Sequence, residues 1–320
     1  MVSPQEAISV VIPNWKGRAH LAELLPSIAA QSLRPLEVIV VDGASKDGSA
    51  ELAENYGART IRLERNEGFA RAVNAGIASS RGQMLAVLNN DIRLSPDWLE
   101  RIAWRNAPFA VGKILQWNRP NHLDGAWDLI SLSGVPMRAG QGQKDSAFWN
   151  QPREIRLAPW TAILLRRDYW EAVGCLDESF GSYLEDVDFG LRSAKLGLKG
   201  VYEPLAVCTH RGSSTLGAWH PEQVRLTSRN QLLLIAKHGG KPWLEAYRWR
   251  IAVGQLLWGI AAARHKCLWP WLEGKWEGIQ ISRGAVGWNE PLMKELEAEL
   301  FEVSAASGMD RFWKYYWSLI

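Results

Sequence analysis

The first 110 or so residues alternate between short apolar runs and amphipathic segments, the pattern of β-strands separated by α-helices. The apolar runs predict strands at 8–13, 36–41, 59–63 and 84–88. The segments between them have helical spacing or a helix cap, and predict helices at 19–31, 45–56 and 69–79. Strands joined through helices form right-handed βαβ units, which build a mainly parallel sheet. The sequence therefore predicts an α/β fold with a nucleotide-binding-like first half.

Polar side chains that suit a catalytic or metal site stand where three apolar runs end. They are Asn89, Asn90 and Asp91 after residues 84–88, Glu185 and Asp186 after residues 182–184, and His210 after residues 201–209. The ends of buried strands deliver such side chains to the rim of an α/β sheet, where ligands bind. Together they indicate a divalent cation, a phosphate-bearing substrate and a base. The pattern favours an enzyme that uses an activated, phosphate-linked donor.

Composition narrows the class of protein. Of the 320 residues, 47% are apolar, which is ample for a core, and the net charge of +3 is too small to indicate nucleic-acid binding. The three cysteines are scattered and lack CxxC spacing, so we expect reduced thiols in the cytoplasm. The N-terminus runs directly into a predicted strand, and no apolar run reaches about 18 residues. We therefore expect neither a signal peptide nor a membrane span.

Asp42 ends the second predicted strand and is followed by Gly43 and Ser45. An acidic side chain at this place accepts hydrogen bonds from a ribose or a base edge. The same pattern is typical of an Asx turn or a helix cap, and both interpretations stay open. The sequence has no GxxxxGK[ST] loop and no strand-linked GxGxxG, which argues against an ATPase and against a simple dinucleotide enzyme.

Six separated segments share a resemblance to one family. They lie at 8–15, 40–49, 66–76, 89–91, 175–188 and 208–211. In this order, and over residues 8–240, they resemble the motifs of glycosyltransferase family 2. The segment at 66–76 is similar to the Asn-x-Gly-Phe helix of the rhamnosyltransferase-like branch of that family. The resemblance implies the Rossmann-like GT-A fold, a mixed, mainly parallel sheet flanked by helices, here with a C-terminal helical extension.

The resemblance also implies roles for single residues. It places nucleotide binding at Pro13, Asn14, Asp42, Arg71 and Asn90, the metal at Asp91 and His210, and catalysis at Asp186 and Glu185. Carboxylate and imidazole ligands suit Mn²⁺ or Mg²⁺, which neutralises a nucleoside diphosphate leaving group. The family's metal motif is Asp-x-Asp, and Asn89 replaces its first carboxylate, which predicts a weaker metal site. Without the resemblance, residues 89–91 would indicate a turn and His210 a capped or buried histidine.

Only one carboxylate of the pair at 185–186 acts as the base in an inverting transfer, because one acceptor proton is removed. The resemblance assigns this role to Asp186, with Glu185 as a supporting or acceptor-binding residue. The competing explanation is an acid-rich helix N-terminus stabilised by the helix dipole. Asp188, which follows in the same predicted helix, is expected to be structural.

The segment from about 104 to 159 lacks regular spacing, and a long loop of this kind in a compact enzyme is usually functional. It leads to Trp160 and Thr161, which replace the Gly-Ala usual in the family. We predict that these two residues shape the donor-sugar or acceptor pocket. Trp160 has two equally supported interpretations, stacking on a sugar face and filling the core.

The character of the chain changes after about residue 222. We predict a catalytic domain at 1–222, with a nucleotide-binding half at 1–110 and an acceptor half at 111–222, and a tryptophan-rich helical extension at 223–320. Aromatic rings beside Lys and Arg suit a helix at a membrane surface. Packing on the catalytic domain or on a second subunit of a homodimer explains the same composition.

The function predicted is transfer of a sugar from a dTDP- or UDP-sugar to a glycan or lipid-linked acceptor in cell-envelope polysaccharide synthesis. The rhamnosyltransferase-like branch makes dTDP-rhamnose the candidate donor, and a lipid-linked acceptor implies the inner face of the cytoplasmic membrane. The alternative is a catalytically inactive homologue that binds nucleotide sugars or glycans, with Asn89 as the reason. A nucleotidyltransferase is disfavoured because the chain lacks a basic, glycine-rich phosphate loop near the first strand.

Overall fold

The computed structural model describes residues 8–103, 107–212, 219–281 and 287–320. The strands are β1 Ile8–Asn14, β2 Glu37–Asp42, β3 Arg59–Arg62, β4 Met84–Leu88, β5 Ile92–Leu94, β6 Phe109–Gln116, β7 Arg119–Gly125, β8 Asp128–Ile130, β9 Pro136–Arg138, β10 Arg153–Ile155, β11 Ala162–Arg166 and β12 Gly200–His210. The helices are α1 Arg18–Ala29, α2 Ser49–Asn55, α3 Phe69–Ala78, α4 Trp98–Ala103, α5 Arg167–Val173, α6 Glu185–Lys195, α7 Pro221–His238, α8 Gly240–Arg264, α9 Leu268–Gln280, α10 Glu290–Ser307 and α11 Arg311–Leu319.

The strands of the first half form the parallel part of the sheet, as predicted. β1 pairs in parallel with β2 and β4, and β2 pairs with β3. The order β4-β1-β2-β3 reverses direction at β1, and a crevice for ligands opens at such a switch point. The register places Asn14 opposite Asp42, so the polar ends of β1 and β2 are side by side.

Helix α3 packs closely on this part of the sheet because its sequence is rich in small residues. A Cβ on Gly76 would lie 2.3 Å from a methyl carbon of Val11, so only glycine allows this approach. Ala70, Val73 and Ile77 complete the buried face of the helix. The packing fixes the N-terminus of α3, which borders the cleft described below.

The second half makes the sheet mixed. In the described residues the ten-stranded sheet has the order β10-β12-β6-β11-β4-β1-β2-β3, with β5 beside β12 and β7 beside β6. Strand β11 runs antiparallel to both β4 and β6, whereas β12 runs parallel to β6. The expectation of an irregular middle segment is wrong in part, because β6 to β10 lie within it and β8 pairs with β9 as a separate hairpin.

The C-terminal helices pack on the sheet instead of standing apart from it. Leu300 of α10 and Tyr316 of α11 belong to the same buried apolar cluster as Val87 of β4. Glu297 of α10 accepts hydrogen bonds from the Leu132 amide (2.9 Å) and from the Tyr316 hydroxyl (2.8 Å). In the part of the chain that the structure describes, no helix is long and apolar enough to cross a membrane.

Candidate active site

A cleft of about 850 Å³ opens where β1, β4 and β12 end. The predicted site residues that line it are Pro13, Asn14, Asn90, Asp91, Trp160, Thr161, Glu185, Asp186 and His210. Asp42 and Arg71 are not among the lining residues. Segments more than a hundred residues apart in the chain therefore meet at one place, as predicted, although Glu185 and Asp186 begin α6 and do not follow a strand.

Asn14 and Asn90, which line one side of the cleft, belong to a hydrogen-bonded network with Asp42, Ser45 and Ser49, which do not line it; the five residues are here called the donor-side network. The Asn14 amide donates to Asp42 Oδ1 (2.8 Å) and Ser49 Oγ (3.0 Å), and its oxygen accepts from Asn90 Nδ2 (2.8 Å). The second Asp42 oxygen accepts from the Ser45 amide at 2.8 Å. Asp42 thus accepts from the backbone amide three residues on, as a capping residue does, and it is buried, so its predicted contact with a nucleotide remains a prediction.

Gly17 leaves space for this network. A Cβ at position 17 would lie 2.2 Å from Asn90 Nδ2 and 2.3 Å from Asn14 Oδ1. A larger side chain at this position would displace both amides. Neither Gly17 nor Ser49 was predicted as a site residue, and the only sequence signal was the place of Ser49 in the family motif at 40–49.

Arg71 lies at the edge of the cleft. Its guanidinium is half-exposed and pairs with Glu67 and Glu178, each at 3.4 Å. Both glutamates line the cleft, so Arg71 reaches the site only through them. Its predicted role in nucleotide binding stays a prediction.

The metal candidates Asp91 and His210 face each other. His210 Nε2 lies 3.2 Å from Asp91 Oδ1, and Nδ1 lies 2.8 Å from Asp124 Oδ2. Burial alone would lower the pKa of His210, but the hydrogen bonds to Asp124 and Asp91 outweigh it and raise the pKa to about 9. The imidazole is therefore held between two carboxylates, of which Asp124 at the end of β7 had no signal in the sequence.

These residues fit a divalent cation. A carboxylate on the far nitrogen of a ligating histidine fixes its tautomer, which is the role Asp124 has here toward His210. Adjacent ligands of an octahedral Mg²⁺ or Mn²⁺ are about 3 Å apart, close to the separation of His210 Nε2 and Asp91 Oδ1. Among the described residues no three His, Cys, Asp or Glu side chains form a complete metal site. The protein thus offers a pair of ligands, and a diphosphate would have to supply others.

The two acids of the pair at 185–186 have different surroundings. Burial and the neighbouring Asp186 raise the pKa of Glu185 well above its usual value, and its Oε2 has no hydrogen-bond partner within the described ranges. Asp186 is more accessible, with 14% of its side chain exposed, and accepts a hydrogen bond from the Val187 amide at 2.9 Å. Burial raises the pKa of Asp186, while Arg138 opposes the shift. Asp186 is the better placed of the two to act as a base.

Arg138 is the principal charged residue of the cleft that the sequence analysis missed. Its guanidinium contacts Asp128 at 3.2 Å, Thr161 Oγ1 at 3.4 Å and Asp186 at 3.9 Å. Burial raises the pKa of Asp128 to about 6, although Arg138 opposes the shift. Asp128 and Arg138 are register partners across the β8–β9 hairpin. The one signal in the sequence for this pair was that Asp128 and Arg138, of opposite charge, stand on either side of a turn that contains glycine.

Trp160 contributes its backbone to the cleft. Its indole is buried, with ring centroids 5.0 Å from Phe189 and 5.9 Å from Trp170. The geometry favours the interpretation in which this ring fills the core. Thr161 faces the cleft, and its carbonyl accepts a hydrogen bond from the Asn89 amide at 2.9 Å.

The Asn-x-Gly-Phe segment begins α3 against the loop that precedes the acidic pair. Gly68 has a φ of 94°, and a Cβ there would lie 2.6 Å from the Gly181 carbonyl oxygen. That carbonyl accepts a hydrogen bond from the Ala70 amide at 3.0 Å. Glycine is required at position 68 by both backbone conformation and space.

The loop before Glu185 is held from the other side by Asn230 of α7. Tyr183 and Leu184 have φ values of 71° and 68°, which cost free energy in non-glycine residues. The buried Asn230 amide donates to the carbonyls of Phe180 (3.0 Å), Ser182 (3.0 Å) and Tyr183 (2.6 Å). The extension therefore helps to position the acidic pair.

Asp188 is structural, as predicted. It is completely buried and accepts hydrogen bonds from Lys237 (2.7 Å), His238 (2.8 Å) and Arg192 (3.1 Å). Lys237 and His238 belong to α7, so this buried cluster joins α6 to the extension. The predicted division of the chain at 222 falls in the first turn of α7, and it remains a proposal.

The fold is the GT-A fold of glycosyltransferases. The crystal structure of GalNAc-T7 with UDP, GalNAc and Mn²⁺ matches this chain with a TM-score of 0.63 at 14% identity. The match covers 95% of this chain and 58% of that one. At this identity the likeness concerns the fold alone.

The chain belongs to glycosyl transferase family 2. The model of that family, Glycosyl transferase family 2, matches residues 9–107. An uncharacterized glycosyltransferase of Haemophilus influenzae is 31% identical, over 63% of this chain and 68% of its own length. An N-acetylglucosaminyl-diphospho-decaprenol L-rhamnosyltransferase of Mycobacterium tuberculosis is 25% identical, over 77% of this chain and 89% of its own length. The recognition of the family and its rhamnosyltransferase-like branch from the motifs is confirmed.

Proposed function

We propose that this glycosyltransferase is metal-dependent and inverting, and that it moves a sugar from a nucleoside-diphosphate sugar to a hydroxyl group of its acceptor. The observation that carries the proposal is one cleft that holds the Asp91–His210 pair, the Asn14 and Asn90 amides, and Asp186. These groups suit a diphosphate with its cation, a nucleoside and an acceptor proton. We assign the base to Asp186.

The residues divide the chemistry among them. Asp91 and His210 would hold Mn²⁺ or Mg²⁺, which supplies charge neutralisation for the leaving diphosphate. Asp186 takes the proton from the acceptor hydroxyl as that oxygen attacks the anomeric carbon. A single displacement of this kind inverts the anomeric configuration and needs no protein nucleophile. Glu185 keeps its proton and serves as a hydrogen-bond donor to the acceptor.

For the substrates, we propose dTDP-rhamnose as the donor and a lipid-linked glycan as the acceptor. The activity of the Mycobacterium tuberculosis relative, rhamnosyl transfer to N-acetylglucosaminyl-diphospho-decaprenol, supports a rhamnosyl donor and a lipid-linked acceptor. The reaction would then belong to cell-envelope polysaccharide synthesis at the inner face of the cytoplasmic membrane. A UDP-sugar is the competing donor.

We also propose contact with the membrane surface through α9. Trp269, Trp276 and Ile279 are 77%, 66% and 72% exposed, at spacings that place them on one face of this helix. Arg264 and Lys266 are exposed just before it. Exposed rings beside cations suit anionic headgroups.

The protein should float with phosphatidylglycerol vesicles in a density gradient, and this flotation should be lost in the double variant Trp269→Ala/Trp276→Ala. A wild-type dimer that the same variant dissociates would instead assign this face to a second copy.

Calorimetry with a panel of nucleoside diphosphates and nucleotide sugars tests the transferase proposal. We expect micromolar binding of one nucleotide in Mn²⁺, and weaker binding in chelator. Asp91→Asn should reduce binding in Mn²⁺ to the level seen in chelator, while Asp168→Asn, at an exposed surface acid, should not. Absence of nucleotide binding under both conditions would contradict the proposal and favour the glycan-binding alternative.

A further inference from the structure

Two arginines, Arg93 and Arg211, lie over the ring of Trp117. The guanidinium carbon of Arg93 is 4.7 Å from the ring centroid, and that of Arg211 is 4.0 Å from it. Both arginines are exposed, and Trp117 is half-buried. Cation–π contacts with one indole hold the two guanidinium groups in place. These three residues are called the Arg–Trp–Arg stack.

Within the part of the chain that the structure describes, no carboxylate pairs with the positive charge of the stack. Over the described ranges, neither guanidinium makes an ion pair or a hydrogen bond with the protein. The segment at 213–218, which follows Arg211 closely, contains no acidic residue. Arg119 bonds to Gln116, next to Trp117 in the chain, and adds another cation nearby. Like charges held together repel each other, so an anion would stabilise this arrangement.

The stack lies beside the metal pair but outside the cleft. The Trp117 amide donates to the His210 carbonyl (2.9 Å), and the Arg211 amide donates to the Asp91 carbonyl (3.1 Å). The residues on either side of Arg211 line the cleft, whereas Arg211, Trp117 and Arg93 do not. An anion bound there would belong to a substrate whose reacting end enters the cleft.

We propose that the Arg–Trp–Arg stack binds a phosphate group of the acceptor, the diphosphate that joins its sugar to a lipid. This inference rests on the proposed function, because it takes the acceptor to be lipid-linked. The planar fork of arginine matches paired phosphate oxygens. The donor diphosphate belongs with Asp91 and His210 inside the cleft, so an anion site outside it suits the other substrate.

Two synthetic acceptors test the site by kinetics. One has N-acetylglucosamine joined to an undecyl chain through a diphosphate, and the other has the same sugar joined to the chain directly. In Arg93→Gln/Arg211→Gln we expect the KM for the diphosphate acceptor to rise about tenfold or more, since charge-assisted hydrogen bonds are lost. The KM values for the donor and for the direct acceptor should not change. Arg34→Gln, at another exposed arginine, is the matched control. An equal loss with both acceptors, or a raised donor KM, would overturn the inference.

Direct binding separates failure of this site from failure of the proposed function. Undecyl diphosphate titrated into the full chain without metal should bind the wild type at least about tenfold more tightly than the double variant. If that difference holds while neither acceptor is turned over, the site is supported and the proposed function is not. Equal binding by both proteins overturns the site. Inorganic phosphate that competes as strongly as undecyl diphosphate would make it a site for free phosphate and overturn the acceptor assignment.

Discussion

The two walls of the cleft differ in how their polar groups are satisfied. In the donor-side network each residue has a hydrogen-bond partner within the network, and Asp42 alone accepts from three donors. On the opposite wall, here called the acceptor-side wall, Glu185, Asp186, Asp128 and Arg138 share one buried region. There, Glu185 has an oxygen without a partner in the described structure, and burial raises the pKa of all three acids.

The difference separates binding from chemistry. A wall whose groups are already paired is preorganised, so it can hold a nucleoside with little rearrangement. A wall of buried acids costs stability, and groups with shifted pKa values concentrate where protons are transferred. The comparison teaches that the acceptor-side wall is the reactive one, and variants on the two walls should fail in different ways.

Asp186→Asn should have the largest effect on turnover. The amide cannot accept the acceptor proton, so we expect kcat to fall by about a thousandfold while the donor Kd stays within about twofold of wild type. Single-turnover rates and calorimetry measure the two quantities. Glu185→Gln is the matched control, because the amide replaces an acid that is already protonated, and its loss should be far smaller. Equal losses in both variants would refute the assignment of the base.

Asn14→Ala should impair the donor-side network without slowing the chemical step. It removes the amide that joins Asp42, Ser49 and Asn90, and should weaken donor binding about tenfold. The partners left unsatisfied should lower the free energy of unfolding by about 1–3 kcal/mol. Urea unfolding and donor titration provide the measurements. A variant with normal donor affinity and a reduced kcat would contradict the division between the walls.

Glu185→Gln should also change how stability depends on pH. The raised pKa means that folded Glu185 keeps its proton above pH 4.5, where the unfolded chain loses it. The wild type therefore loses stability as the pH rises from there toward the folded pKa, by at most about 1.4 kcal/mol per unit from this group. The variant should be the more stable protein at pH 8 and equal to wild type near pH 4.

Urea unfolding at several pH values measures this difference. Glu171→Gln, at an exposed glutamate, is the control. A Glu185→Gln protein less stable than wild type at pH 8 would show that Glu185 is ionised in the folded state, and would remove one of the buried acids from the comparison.

The sequence predicted the donor side of the molecule better than the acceptor side. Strands β1 to β4 lie within two residues of their predicted bounds, because each is one apolar run between helices. Asn14, Asn90, Asp91 and Asp186 were found because each follows the end of such a run or stands in a family motif. For these residues the local sequence pattern predicts the position that the side chain has in the folded protein.

On the acceptor side the decisive contacts are made across the chain and leave little local pattern. Arg138 lies in a three-residue strand, and its partner Asp186 lies 48 positions further on. Asp124 meets His210 only because β6 aligns with both β7 and β12. For Trp160 the sequence left two interpretations, and only the positions of Trp170 and Phe189 distinguish them.

Arg138→Gln should have the smallest effect, a displacement of the acidic limb of the pH–rate profile. The positive charge of Arg138 opposes the rise in the pKa of Asp186, so its removal should raise that pKa further. The base is then protonated at higher pH, and the limb in kcat should move upward by about one unit. We expect this modest value because Arg138 is shared with Asp128. Above the limb, kcat should stay close to wild type.

Arg166→Gln, at an exposed arginine paired with Asp168, is the control and should leave the acidic limb in place. A limb that moves to lower pH in Arg138→Gln would show that Arg138 does not assist the ionisation of Asp186, and the acceptor-side wall would need another origin for its reactivity.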